Sequence, residues 1–215
     1  MNDNLLKKEY VIENQNSIVR FYKKNKTSIF SIIFLLFIFF ASFSYYFYSK
    51  EKKELFLSDR YIDAKIYLEN GDNDKAIKIL KEIILSNNKT YSPLSLFLLL
   101  DKKLINDNKQ LSSMFEHILN NNKFEDEIKN LIIFKKVLFQ SNFINESELL
   151  EATKPLINKE TFWKPHALLL LGDYFVSKKE FFKAKEFYLQ ILSLKNLSRN
   201  IYEKAAFQLS LISDE

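Results

Sequence analysis

The chain of 215 residues has no cysteine, two glycines, three prolines and two histidines. Each shortage excludes something. Without cysteine there is no disulfide framework, no thiolate metal site and no thiol nucleophile. Gly71 and Gly172 stand about a hundred positions apart. A phosphate-binding loop or dinucleotide fingerprint needs several glycines within one short turn, so neither can form. Valine is scarce too, with only Val11, Val19, Val137 and Val176. Few Gly, Pro and Val argue against an all-β sandwich, which depends on tight turns and β-branched strands. What is abundant is apolar and aromatic: 47% of residues are hydrophobic and 15% aromatic. The expected class is all-α.

Charge is missing from one long stretch. No charged residue lies between Lys26 and Lys50, and Ile29–Tyr48 reads IFSIIFLLFIFFASFSYYFY. Twenty helical residues rise ~30 Å, the thickness of a bilayer's hydrocarbon core. Lys23, Lys24 and Lys26 precede the run; Tyr45, Tyr46, Tyr48, Lys50, Lys52 and Lys53 mark its far edge. Tyrosines there fit the aromatic belt where a helix leaves lipid for water. A buried core helix would need partners on every face. A cleaved signal peptide could use Ser42-Phe43-Ser44, but its polar leader would be long and tyrosines follow directly. The expected organisation is a basic cytoplasmic leader (1–27), a single-pass transmembrane signal anchor (28–49) and a helical domain (50–215).

Cations near the span do not decide its orientation. Arg20, Lys23, Lys24 and Lys26 on one side face Lys50, Lys52, Lys53, Arg60 and Lys65 on the other. The net charge is +5. The leader carries much of it, without the clustered basic face that nucleic-acid binding requires. Its cations suit anionic lipid headgroups. Leu5, Ile12 and Val19 recur every seven residues, with Tyr22 beyond, as in a short amphipathic helix.

After the span, apolar residues recur at helical spacing. Leu57, Tyr61, Ala64 and Leu68 form one stripe, broken by Gly71-Asp72-Asn73-Asp74; Ala76, Leu80 and Ile83 form the next. Ser92-Pro93 reads as an N-cap and first helical residue. Leu94–Leu100 is nearly all apolar, so this helix is expected to be buried on most sides. Further helices follow around 111–119 and 124–139. A short one at 148–154 should end before Pro155. Three more lie near 162–178, 180–194 and 199–213. Three glycosylation sequons, beginning at Asn88, Asn145 and Asn196, are what an Asn-rich chain produces by chance.

Two segments share small-residue spacing. Leu168-x2-Leu171-Gly172-x2-Phe175 is followed by Ala184-x3-Tyr188, the order of the tetratricopeptide pattern. Small residues at Gly172 and Ala184 let two helices cross closely, with Phe175 and Tyr188 filling the flanks. Ala64, Tyr67, Ala76 and Leu80 repeat those offsets, and a shift of one repeat period places Ala206 at the Gly172 position. The expected architecture is an α-solenoid of divergent tetratricopeptide-like helix pairs with a C-terminal capping helix. A leader, one anchor and such a domain resemble the YfgM-like family, ancillary subunits of the bacterial SecYEG translocon. The resemblance implies an inner-membrane protein with a cytoplasmic N-terminus and a periplasmic domain. It also implies translocon components or periplasmic chaperones as partners.

No catalytic constellation appears. His117 and His166 lack a second His at i+3 or i+4. Glu125-Asp126-Glu127 sits where acids complement a helix dipole, and Lys178-Lys179 where cations do. Trp163 reads as a packing anchor. Of Phe181-Phe182, one ring must point away from its own helix pair and could anchor a partner. The expectation is a non-enzymatic, cofactor-free interaction protein with no metal, nucleic acid or small-molecule substrate. An envelope-assembly or cell-division scaffold is the alternative; a membrane-bound enzyme with an unfamiliar site is the remote one.

Overall fold

The computed structural model describes the backbone of residues 3–195 and 197–213, and the side chains of 19–195 and 197–212. Among the described residues there are nine helices and no strand. They are α1 (Asp3–Glu69), α2 (Asn73–Leu85), α3 (Tyr91–Asp101), α4 (Asn108–Asn121), α5 (Asp126–Gln140), α6 (Glu146–Ile157), α7 (Lys164–Ser177), α8 (Phe181–Leu192) and α9 (Arg199–Ser213). The chain divides into two units, Met1–Phe56 and Leu57–Glu215.

The first unit is the larger part of α1. Its backbone leaves helical geometry at Asn25 (φ −112°, ψ 16°). From Phe30 to Tyr48 every side chain is exposed. This helix is long and apolar enough to cross a membrane, and none of its most apolar window is buried within the protein. Phe39, Phe43 and Phe47 line one side at i, i+4 spacing, the first two rings stacked at 6.1 Å and the last two tilted at 4.6 Å. The Ser31 hydroxyl donates to the Thr27 carbonyl at 3.0 Å, which keeps its proton satisfied in an apolar medium. At the far end the Lys52 ammonium lies 4.6 Å from the centre of the Tyr48 ring.

The second unit begins at Leu57 and is organised by its helix ends. Three helices stop in the same way. Gly71 (φ 79°), Lys103 (φ 50°) and Lys179 (φ 60°) adopt left-handed backbone just past α1, α3 and α7. In each, two backbone N–H groups turn back: Asp72 to Tyr67 and Gly71 to Leu68, Leu104 to Leu99 and Lys103 to Leu100, Glu180 to Phe175 and Lys179 to Val176. This is the Schellman arrangement, which satisfies the last helix carbonyls. A left-handed lysine bears a steric penalty that glycine does not. Lys103→Gly and Lys179→Gly should therefore each stabilise the unit by about 1 kcal/mol, read as a higher urea midpoint with unchanged slope. Starts are capped as well. Asp107 accepts from the N–H groups of Lys109 (2.9 Å) and Gln110 (3.0 Å), and Asn145 and Glu148 form a reciprocal capping box.

Two boundaries differ from the sequence expectation. Ser92 is not the cap of α3, which starts at Tyr91. The Asn88 side chain instead accepts from the N–H groups of Thr90 (2.9 Å) and Tyr91 (2.8 Å). The buried Ser92 hydroxyl donates to the Ile83 carbonyl (2.9 Å) and accepts from the Asn88 N–H (3.0 Å). That hydroxyl thus ties the Asn88 N–H to the end of α2, where the Ile83 carbonyl also accepts from the Ser86 N–H (3.1 Å) and hydroxyl (2.7 Å). Nor does α6 stop before Pro155; it runs on to Ile157. Leu149, Thr153 and Leu156 are fully buried, so packing on both sides of the proline outweighs the lost N–H. Asn88 and Asn145 thus have structural duties within their sequons; Asn196 lies outside the described residues.

Each helix touches neighbours one or two places along the chain. Helix α2 packs on α3 and α4, and α9 packs on α8 and α7. Tyr61 of α1 and Tyr91 at the start of α3 have ring centroids 6.0 Å apart. The α5 side chain Lys135 reaches over Phe97 of α3. Phe134 of α5 stacks on Trp163, which precedes α7, at 5.3 Å. Glu146 of α6 pairs with Lys183 of α8 at 2.7 Å. Helix α5 supplies Ile132 to one buried cluster and Val137 to the next, and Tyr174 and Phe187 border both clusters of the second half.

Candidate functional site

The residues singled out for helix packing fall into two groups. Ala64, Ala76 and Leu80 are fully buried, with Tyr67 half-buried beside them. Leu171, Gly172, Phe175, Ala184 and Tyr188 lie among α7, α8 and their neighbours, all buried. At Gly172 the approach is extreme. A Cβ there would stand 2.4 Å from Tyr188 Cε1 and 2.8 Å from Cζ, so the ring occupies the space of the missing side chain. The Tyr188 hydroxyl donates to Asp173 Oδ1 at 2.8 Å. Burial, and then the hydrogen bond to Asp173, push this phenol well above its ordinary pKa. Asp173 also reaches Lys204 of α9 at 3.8 Å. Phe175 stacks on Phe187 almost parallel, at 5.5 Å. The projected match at Ala206 is off by one: Ala205 is fully buried and Ala206 only partly. The fully buried small residue of α9 is therefore Ala205, not Ala206.

The surface carries features of another kind. Between α3 and α5 runs a groove of about 410 Å³. Pro93, Leu94 and Phe97 line one wall; Phe124, Ile128 and Leu131 line the other, with Lys89, Lys123 and Glu125 also around it. Leu94 is 40% and Ile128 45% exposed. Helix α3 is buried on most sides, as its all-apolar run predicts: Ser92, Pro93, Ser95, Leu96 and Leu99 are buried, and of Leu94–Leu100 only Leu94 is exposed, on the groove wall. Continuing from α5, the Trp163 indole N–H donates to the Glu127 carbonyl at 3.2 Å, and Phe162 is exposed beside it. Trp163 packs as an anchor while the neighbouring Phe162 faces solvent. The adjacent pair on α8 splits likewise. Phe181 packs inward, whereas Phe182 is 91% exposed at a cleft shared with Lys179, Lys185 and Ile212.

Groups able to carry chemistry are dispersed. Among the described residues no cluster of three or more His, Asp or Glu is placed to hold a metal. Asp126 and Glu127 occupy the first turn of α5. His117 contacts the side chain of Asn121. His166 sits against the rings of Phe134, Phe162 and Trp163. The exposed apolar groove, not a polar pocket, is the feature that stands out.

No family model, curated protein or solved structure matches the chain.

Proposed function

We propose that the protein is a single-pass membrane adaptor whose helical unit binds segments of other proteins in the groove between α3 and α5. The observation that carries this reading is the groove itself. Leu94 of α3 and Ile128 of α5 stay open to solvent on its two walls, with Phe97, Phe124 and Leu131 half-buried between them. An exposed apolar groove with charged residues around it suits a peptide or a partner helix.

The finer architecture is a stack of tetratricopeptide-like pairs. The same order recurs at both ends of the unit: a small residue (Ala64 or Gly172), a left-handed turn seven residues on (Gly71 or Lys179), alanine five further (Ala76 or Ala184), then a buried filler after four more (Leu80 or Tyr188). Contacts one and two helices apart are those a solenoid requires. With the resemblance to the YfgM-like family, this supports a cytoplasmic N-terminus, a periplasmic helical unit in a bacterial inner membrane, and partners among translocon components or periplasmic chaperones.

In-membrane photocrosslinking tests the reading. Probes at Leu94 and Ile128 should yield partner adducts that a probe at the exposed Glu186 of α8 does not. Leu94→Glu with Ile128→Glu should weaken capture through a remaining groove probe at least about tenfold, as loss of an apolar anchor does. Equal adducts from α8 and the groove would reject the groove. Groove adducts without any translocon or chaperone component would reject the family-specific part alone.

A further inference from the structure

The part of α1 just before the apolar run holds a charge pattern that the adaptor reading does not use. Arg20, Lys23, Lys24 and Lys26 stand within seven residues, and no acidic residue occurs between Glu13 and Glu51. All four are exposed. Among the described residues no ion pair holds any of them. Arg20, Lys23 and Lys24 share one helical stripe at i, i+3, i+4. Val19 and Tyr22 flank it on one side and Phe21 on the other, all exposed. Cations interleaved with large apolar side chains are the pattern of a helix lying in a bilayer interface.

Position sharpens the pattern. The uncharged run starts directly after Lys26, so these cations stand at headgroup depth when that run spans the bilayer. Between the basic stripe and the run, Asn25 breaks the helix (φ −112°, ψ 16°). A continuous helix would carry the stripe away from the surface along the span's own direction. A break there frees it to turn. We infer that residues 19–26 form a collar that binds anionic lipid headgroups, with Asn25 as the elbow that lets the preceding helix lie along the membrane. This rests on the span reading and is independent of the groove.

The absence of cysteine makes the test clean. Phe21→Cys in the full-length chain accepts one environment-sensitive fluorophore. The labelled protein is reconstituted in phosphatidylcholine vesicles, with or without about a third of the lipid replaced by anionic phosphatidylglycerol. The collar predicts a blue shift and reduced quenching by an aqueous quencher only in the anionic vesicles. The effect should fade from about 0.1 M to about 1 M salt, as the Debye length falls from ~10 to ~3 Å. Lys23→Gln, Lys24→Gln and Lys26→Gln together should abolish it. Asn25→Ala, which favours a continuous helix, should reduce protection with every charge kept. Identical spectra in neutral and anionic vesicles would overturn the collar. Protection unaffected by Asn25→Ala would overturn the elbow. Alkaline extraction of the same vesicles is read separately: a protein that is stripped off refutes the span, whereas one that stays with unchanged spectra refutes only the collar.

Discussion

Gly172→Leu should lower the melting temperature of the helical unit by roughly 6–12 °C, the consequence of ~3 kcal/mol of overpacking at about 2–4 °C per kcal/mol. The added side chain begins 2.4 Å from a ring carbon of Tyr188. Ordinary carbon contacts lie at about 3.5–4.0 Å, so something must move by more than 1 Å. The ring is poorly placed to yield: Tyr188 is fully buried and its hydroxyl is held by Asp173. Gly172→Ala should cost less, because alanine's helix propensity returns about 1 kcal/mol. Adding Tyr188→Leu to Gly172→Ala opens the occupied space. The pair should then couple favourably by about 1 kcal/mol or more in a double-mutant cycle. Gly71 is the contrasting case. A Cβ there meets nothing within 4 Å, but φ is 79°, so Gly71→Ala should cost only the ~1 kcal/mol of a left-handed alanine. If both Gly172 variants melt like the parent chain, helices α7 and α8 do not cross as described.

Residue spacing made some of this legible and hid the rest. The helical class follows from scarce Gly, Pro and Val. The membrane-length helix follows from an uncharged run too long for chance. Gly172 and Tyr188 are sixteen residues apart, and their meeting could be read because the Gly-x2-Phe and Ala-x3-Tyr spacings define two helices crossing at a small residue. The groove could not be read. In Leu94–Leu100 apolar residues point in every direction, and periodicity cannot say which of them a neighbouring helix leaves uncovered. Ser92 and Pro155 show the same limit on a smaller scale. Each carries a clear local preference, and each is overruled by groups distant in sequence: the Ile83 carbonyl for Ser92, and the core around Leu149 and Leu156 for Pro155. Phe181-Phe182 is intermediate. Adjacency required the two rings to diverge, but only the packing of α8 shows that Phe182 is the exposed one.

Ile38→Arg with Phe39→Arg should release the protein from membranes. Both residues stand mid-way along the Ile29–Tyr48 run, and both are exposed. An apolar side chain at a membrane centre favours insertion by about 0.3–0.6 kcal/mol, whereas arginine opposes it by about 2.5–3.5, so the two changes together cost roughly 6–8 kcal/mol. The other Ile, Phe and Leu residues of the run supply a few tenths of a kcal/mol each, less towards the ends, and cannot offset that sum. Ser49→Arg, just past the run, is the control: a long cation near a helix end reaches the headgroups and should be tolerated. Alkaline extraction separates the outcomes. The parent chain and Ser49→Arg should remain with the lipid, while the double-arginine chain should appear in the supernatant with its helical unit still folded. That last condition carries the distinction, because no core of the Leu57–Glu215 unit draws on Ile38 or Phe39. A double-arginine chain that stays in the membrane would mean the run is not the anchor. A chain that leaves but loses its helical melt would mean the run serves as a core helix. Release with folding intact would leave the apolar run one role, holding the groove at the membrane where its partners are proposed to be.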